Sequence, residues 1–483
     1  MCKFCDSARQ PHRAPADAGG ASHNAAASPL PAGVGQSGRK TLIKGGSVLS
    51  MDRAVGNFAK GDVLIEGNRI LSVAAHIDAG DAAVIDASGH VVMPGFIDTH
   101  HHQFETALRS VLADAILVND GRPESGANYY EWMLQKFSLL YRPEDVYISE
   151  LFAGLSQIDA GVTTVMDVSQ IHHSPEHSDA AIKGLRDAGR RGVFGYFEGW
   201  GEKAQYPADA RRIKAQHFAS DDQLLTMVMG AEIYLPGYEA AWALGRELNL
   251  PLAMHIVGTF GMAPTFDALA EAGQFGPDCI FIHMTGMSDM AWKKAADAGA
   301  HVSLSVPIEM QMRHGNPPIQ KCLDLGMLPS LSSDVECTMT ADPFTQMRST
   351  ITLQRMFAND LALRGEDYPK LLSAVEVIEM ATMGGAKGLK LDHKTGSLTP
   401  GKEADIILLD ANALNVAPLN HVPGAVVTLM ERSNVSTVIC AGQVRKWQGA
   451  LLGHDVGKLR TELEASRDYL LEKAGVPQDL FRA

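Results

Sequence analysis

The 483-residue chain carries 42 Lys+Arg against 56 Asp+Glu, a formal charge of −14. That balance excludes a nucleic-acid binder, which needs a basic face to displace counterions from phosphates. Hydrophobic residues make up 46% and charged residues 20%, and no apolar run approaches the roughly 18 residues of a membrane span, so a soluble globular protein with a large core is expected.

Residues 1–38 are rich in Ala, Gly, Pro and Ser and bury too little apolar surface to offset ordering, so a flexible N-terminal arm is expected there. Cys2 and Cys5 form a lone CxxC beside His12 and His23, without the folded four-ligand setting of a zinc site. The other cysteines are scattered, and no secretory-type apolar core follows the start; a reducing, cytoplasmic setting is expected. From 39 to 93, short β-type runs such as DVLIEGN and RILSVAA alternate with turn residues. Similar runs return at 391–450, as though one small β-sandwich were assembled from both chain ends.

Between them, residues 94–390 alternate strand and helix patterns. The strand candidates are GFIDTHHH, GVTTVMDVS, GVFGYFEG, LLTMVMGAE, LPLAMHIVG, CIFIHMTG, HVSLSVP and LPSLSSDVE. Eight strand-then-helix units over this length predict a closed α/β TIM barrel. Residues 451–483 contain VGKLRTELEASRDYLLEKAG, whose apolar spacing predicts an amphipathic helix.

A barrel of this type places its chemistry where the strands end. The first strand candidate ends in His100-His101-His102, and alternation puts His100 and His102 on one face. His255, His283 and Asp334 end three further strand candidates. Asp334 on a buried strand would be a costly unpaired charge unless a cation neutralises it, so a metal site is expected from these five groups. A divalent metal lowers the pKa of its water to about 7. Asp334 is then placed to take the proton and pass it to the leaving group, while His283 stabilises developing negative charge.

The segment VVMPGFIDTHHHQFETALRS resembles the strand-one signature of the amidohydrolase superfamily, Pro-Gly-(Phe/Leu)-(Ile/Val)-(Asp/Asn)-Thr-His-x-His. DAGVTTVMD is similar to its strand-two region, and ATMGGAKGLKLDHKTGSLTPGKEADIILLD to its return into the β-sandwich. The resemblance is greatest to the cytosine deaminase and chlorohydrolase-like branch. It implies one divalent metal per subunit, zinc or iron, held by His100, His102, His255 and Asp334, with His283 polarising water or substrate. The two-metal type uses a carboxylated Lys after strand four; LLTMVMGAEIY has none, which favours the single-metal type, and Glu232 is a candidate bridge to a second ion there.

Deaminases of this branch carry His-x-x-Glu after strand five, where the Glu shuttles protons. Here that position is Gly258. Either Glu309 or Glu336 substitutes, or the reaction needs no ring protonation; Gly258→Glu is expected to raise deaminase activity. Gln103, His172, Glu309 and Glu336 are the candidate substrate contacts, with Arg109, His173 and His314 nearby. The expected activity is hydrolysis of a C–N bond in a small cyclic or aromatic substrate, ring deamination first. Cleavage of an acyclic amide, carbamate or urea bond, hydrolytic dechlorination, and a non-catalytic scaffold are the alternatives. A small-molecule partner and a homo-oligomer are implied, with no nucleic acid and no membrane.

Overall fold

The computed structural model describes residues 28–36, 38–122 and 127–480. Cys2, Cys5 and residues 1–27 of the expected arm lie outside the described residues. The described end of that arm is packed rather than free. Val34 is buried in a hydrophobic cluster of the small sheet, and Trp447 Nε1 donates to the Ser28 carbonyl at 2.7 Å. Composition hid this because one or two apolar side chains suffice where a finished sheet face receives them.

The first strands are β1 (Lys40–Val48), β2 (Phe58–Glu66), β3 (Arg69–Ala74), β4 (Ala83–Asp86) and β5 (His90–Pro94). The barrel follows as β6 (Phe96–His101), β7 (Val162–Ser169), β8 (Arg191–Tyr196), β9 (Leu225–Gly230), β10 (Leu252–Val257), β11 (Cys279–Thr285), β12 (His301–Leu304) and β13 (Ser330–Leu331). The chain then returns as β14 (Ile406–Asp410), β15 (Val435–Cys440), β16 (Gln443–Trp447) and β17 (Ala450–Leu451). Ala441 and Gly442, both at positive φ, make the tight turn between β15 and β16.

The small unit is one nine-stranded mixed sheet, ordered β17-β16-β15-β14-β5-β1-β2-β3 with β4 beside β1. Its central joint is the antiparallel pairing of β5 with β14, from Ile406 opposite Pro94 to Asp410 opposite His90. Alternation along IILLD explains its continuous apolar run. Ile406 and Leu408 enter the sheet's own core, while Ile407 and Leu409 face the core shared with the barrel. Arg191, buried at the start of β8, clamps the joint by donating to Glu403 at 2.7 Å and Asp405 at 3.0 Å.

In the barrel, eight parallel strands are paired in sequence order from β6 to β13. The ring closes just past β13, where Asp334 N donates to His100 O and His102 N donates to Asp334 O, both at 2.9 Å. Ile97, Met166, Val193, Val228, Ala253 and Ile280 fill the lower lumen, with Ala386, Leu389 and Leu391 joining their cluster. The alternate residues pack outward against helices. Helix Pro143–Asp159 starts with Pro143 at its first turn and Asp145 accepting from Arg142 N at 2.9 Å. Helix Val456–Ala474 lies beside it, with Tyr469 under the Arg142 guanidinium at 3.7 Å. No described helix is long and apolar enough to cross a membrane.

Candidate metal centre and its cavity

Strand ends bring His100, His102, His255, His283 and Asp334 to one point at the top of the lumen. His255 follows by simple alternation from Ala253 on the lumen face of β10. His100 near the end of β6 and His102 one residue past it do not: Ile97 holds the lumen face of β6, and a register shift against β7 between Asp98 and His101 intervenes. His283 is a second such case. Ile280 and Ile282 already occupy the lumen face of β11, so alternation alone would turn His283 away. Positive φ at His283 (69°) and Met284 (49°), with a register shift against β10, re-aims it. Asp334 likewise sits at φ 66°. Non-glycine residues held there are strained, and here the strain aims two polar groups at the same spot.

The distances suit a cation. His100 Nε2 lies 3.0 Å from His102 Nε2 and 3.1 Å from His255 Nε2. Asp334 Oδ1 is 3.4 Å from His102 Nε2 and 3.7 Å from His100 Nε2. Donors about 2.0–2.1 Å from a shared tetrahedral ion lie roughly 3.3–3.4 Å apart. His283 Nε2 and Asp334 Oδ2 are buried, 3.4 Å apart, and have no hydrogen-bond partner. Three imidazole nitrogens cannot satisfy one another, so the donor set fits a divalent metal.

Protonation agrees. Burial, and then repulsion among the imidazoles, holds His100 and His255 well below their usual range, against the pull of Asp334. Burial opposes the charge of Asp334, but His100, His283 and His102 together hold its carboxyl well below the usual carboxylate range. Neutral imidazole and ionised carboxylate are the forms that bind metals.

Outer partners fix the rings. Glu232 Oε1 lies 2.5 Å from His255 Nδ1, and Glu309 Oε1 lies 3.1 Å from His283 Nδ1. Each carboxylate occupies one ring nitrogen and leaves Nε2 facing inward. Ser305 Oγ is 3.5 Å from His100 Nδ1 and begins a chain of hydroxyls through Ser332, Ser303, Thr99 and Ser330 to His301.

The candidate substrate contacts are placed elsewhere. Gln103 is buried behind β6, donating to Glu150 at 2.6 Å and accepting from Arg190 at 2.5 Å. Glu336 is held by Arg109 through two 2.8 Å bonds and by Thr106. The His172 ring lies between Gly195 O and Ser178 Oγ, and Glu309 sits behind His283. None of the four lines the cavity that opens above the cluster; His314 does. Glu232 is committed to His255. Gly258 also differs from expectation: a Cβ there would stand 3.0 Å from Gly286 Cα and 3.1 Å from Thr285 O. Gly258→Glu therefore requires the backbone after β11 to give by a few tenths of an ångström.

Two tyrosine–carboxyl pairs were missed. Tyr129 Oη donates to Glu105 at 2.6 Å and Tyr234 Oη to Glu198 at 2.5 Å, and both tyrosines line the cavity. Burial pushes Glu105 up to about 7 and Glu198 to about 8. Gln170 also lines the cavity. A signal existed for two of these residues: Gln170 directly follows β7 and Glu198 lies two residues past β8, where strand-end reasoning applies. Both tyrosines come from connecting segments with no such register.

The amidohydrolase family description matches residues 91–445. The 5'-deoxyadenosine deaminase of Methanosarcina mazei is 27% identical over 450 residues, 89% of this chain and 98% of that protein. The fold is shared with a zinc-bound adenosine deaminase from Xanthomonas campestris (TM-score 0.78, 21% identity, 90% of this chain and 99% of that one). It is also shared with a zinc-bound atrazine chlorohydrolase from Arthrobacter aurescens (TM-score 0.76, 20% identity, 88% and 100%).

Proposed function

The chain belongs to the amidohydrolase family, and from that premise we propose that it hydrolytically removes an exocyclic amine from a small nitrogen heterocycle. The observation that carries this reading is the approach of His100 Nε2 to His102 Nε2 at 3.0 Å and to His255 Nε2 at 3.1 Å, beside the unpartnered His283 Nε2 and Asp334 Oδ2. His100, His102, His255 and Asp334 would hold one divalent metal, taken as zinc because structurally similar deaminases and chlorohydrolases bind it. When bound, the metal supplies a water acidic enough to attack at neutral pH.

The remaining chemistry falls to side chains. Asp334 Oδ2 is free to take a proton from the attacking water and pass it to the departing amine. His283, its Nδ1 occupied by Glu309, turns Nε2 towards the carbon under attack and stabilises the charge that develops there. The mostly apolar cavity excludes competing water and suits a flat ring. The named activity of the relatives supports deamination over dechlorination or cleavage of acyclic amides.

The test is metal content and ammonia release by the purified chain on a panel of amino-heterocycles. About one zinc per chain with ammonia release is expected; a metal-free chain under zinc-replete conditions would overturn the reading. Cytoplasmic residence and assembly as a homo-oligomer, carried by the sequence and the family resemblance alone, are tested by fractionation and light scattering.

A further inference from the structure

The cavity has one polar corner that the centre itself does not use. Gln170 is 3% exposed, and its Oε1 has no hydrogen-bond partner. Tyr234, from the segment after β9, donates to Glu198 Oε1 at 2.5 Å; Glu198 is also 3% exposed, with Oε2 unpartnered. The three residues come from the loops after β7, β8 and β9, on successive strands of the barrel. A buried amide or carboxyl oxygen left unpaired carries its full desolvation penalty. Gln170 and Tyr234 line the cavity, and the unpaired Gln170 oxygen there calls for a ligand that completes it, while Glu198 stands behind Tyr234. The Tyr129–Glu105 pair lacks this feature, because Cys337 N donates to the second Glu105 oxygen.

We propose that Gln170, Tyr234 and Glu198 read the edge of the substrate ring and protonate its ring nitrogen, replacing the carboxylate that Gly258 cannot supply; this rests on the deaminase reading. The Gln170 carbonyl accepts an N–H from the ring edge. The Tyr234 hydroxyl donates to the neighbouring ring nitrogen, and Glu198 behind it resupplies the proton. Burial, reinforced by Glu232, pushes Glu198 up to about 8, against the pull of the Tyr234 hydroxyl and of His102; Tyr206 also lies in the field of this carboxyl. Glu198 therefore carries a proton at neutral pH.

The protons balance. As water attacks the carbon bearing the amine, the ring nitrogen takes the Tyr234 proton, Glu198 passes its own to Tyr234, and Asp334 takes one from water. Asp334 then protonates the amine, the C–N bond breaks with its electron pair leaving on ammonia, and the second water proton is released as the carbonyl forms. That proton restores Glu198. The product is a ring carbonyl beside a ring N–H.

The corner also defines the substrate class. It matches an amidine-type edge, a ring nitrogen acceptor next to an N–H donor. Among the described residues no Lys or Arg lines the cavity, so an acidic arm has no partner. Phe260 lies edge-on to Tyr130 and Tyr234, at 5.3 and 5.5 Å, providing aromatic walls. The substrate is a neutral, planar amino-heterocycle.

The experiment uses the full zinc-loaded chain with adenine and cytosine as probes and aniline, which lacks the ring nitrogens, as reference. Calorimetry should show the heterocycles binding at least about tenfold tighter than aniline, each lost pairing being worth a factor of this order. Gln170→Leu and the near-isosteric Tyr234→Phe should each erase that preference with zinc content unchanged. For a probe that is turned over, Glu198→Gln should lower kcat about 100-fold with KM little changed, and remove the fall in kcat above about pH 8. Variants that bind and react like the parent, or a parent that does not prefer heterocycles to aniline, would overturn the corner. Corner-dependent binding without ammonia release on any amino-heterocycle would sink the deaminase reading and leave the corner standing, whereas ammonia release undiminished in all three variants would do the reverse.

Discussion

In the lower half of the barrel, Ile97, Val193, Ala253 and Ile280 point inward by plain alternation and fill the lumen. At the upper rim the same strands end in His100, His255 and His283, and alternation from the lumen residues below holds only for His255. A register shift against β7 precedes His100, and a register shift with positive φ at two consecutive residues re-aims His283. The lower half is a packing problem with many solutions, whereas the rim has one, since five polar atoms must meet within hydrogen-bonding range. Cohesion below supports strain above.

The sharpest way to break this contrast is Asp334→Asn. It should leave a folded protein but lower kcat by about 10³–10⁴-fold, as expected for loss of a proton carrier that also holds the metal; steady-state assays with zinc added check this, and a loss under tenfold would remove Asp334 from the chemistry. Next is Ile280→Ala in the fully buried lower lumen. It should cost about 2–5 kcal/mol of stability in denaturant titration while activity per folded molecule is kept. Equal loss of zinc in that variant would show that the two halves are not separable.

Glu232→Gln should weaken zinc binding by about 10–100-fold through loss of its hold on His255 Nδ1. Competition with a chelator measures it, and unchanged affinity would make Glu232 a bystander. The smallest effect is expected of Gly258→Ala, whose methyl group must push Gly286 by a few tenths of an ångström. A loss of about 1–3 kcal/mol is predicted, as for modest overpacking, and a melting curve matching the parent would show that β10 and β11 have slack there.

Much of this was readable in the residues. The eight barrel strands follow from short apolar runs spaced by helical patterns, and His100 and His102 share a face because alternation requires it. The four expected substrate contacts show where such reading stops. Proximity along the chain to a ligand does not say on which side of the sheet a residue emerges. Gln103 follows His102 directly yet turns outward to Glu150 and Arg190. Glu309 carries the residue type of a proton shuttle, and its carboxylate sits against His283 Nδ1. Gln170 and Glu198 occupied positions the strand-end rule covers, but only the three-dimensional meeting with Tyr234 makes them conspicuous.

The pairing of β5 with β14 has a consequence in time. Residues 94 and 406 meet as neighbours in one sheet, but a ribosome adding about 5–20 residues per second makes β14 roughly 15–60 s after β5. Throughout that interval the edge of β5 that β14 will cover is an open strand, the kind that recruits other chains. The first-made half of the sheet is thus completed late, and yield of the folded enzyme should respond to translation speed and chaperone supply more than its equilibrium stability would suggest.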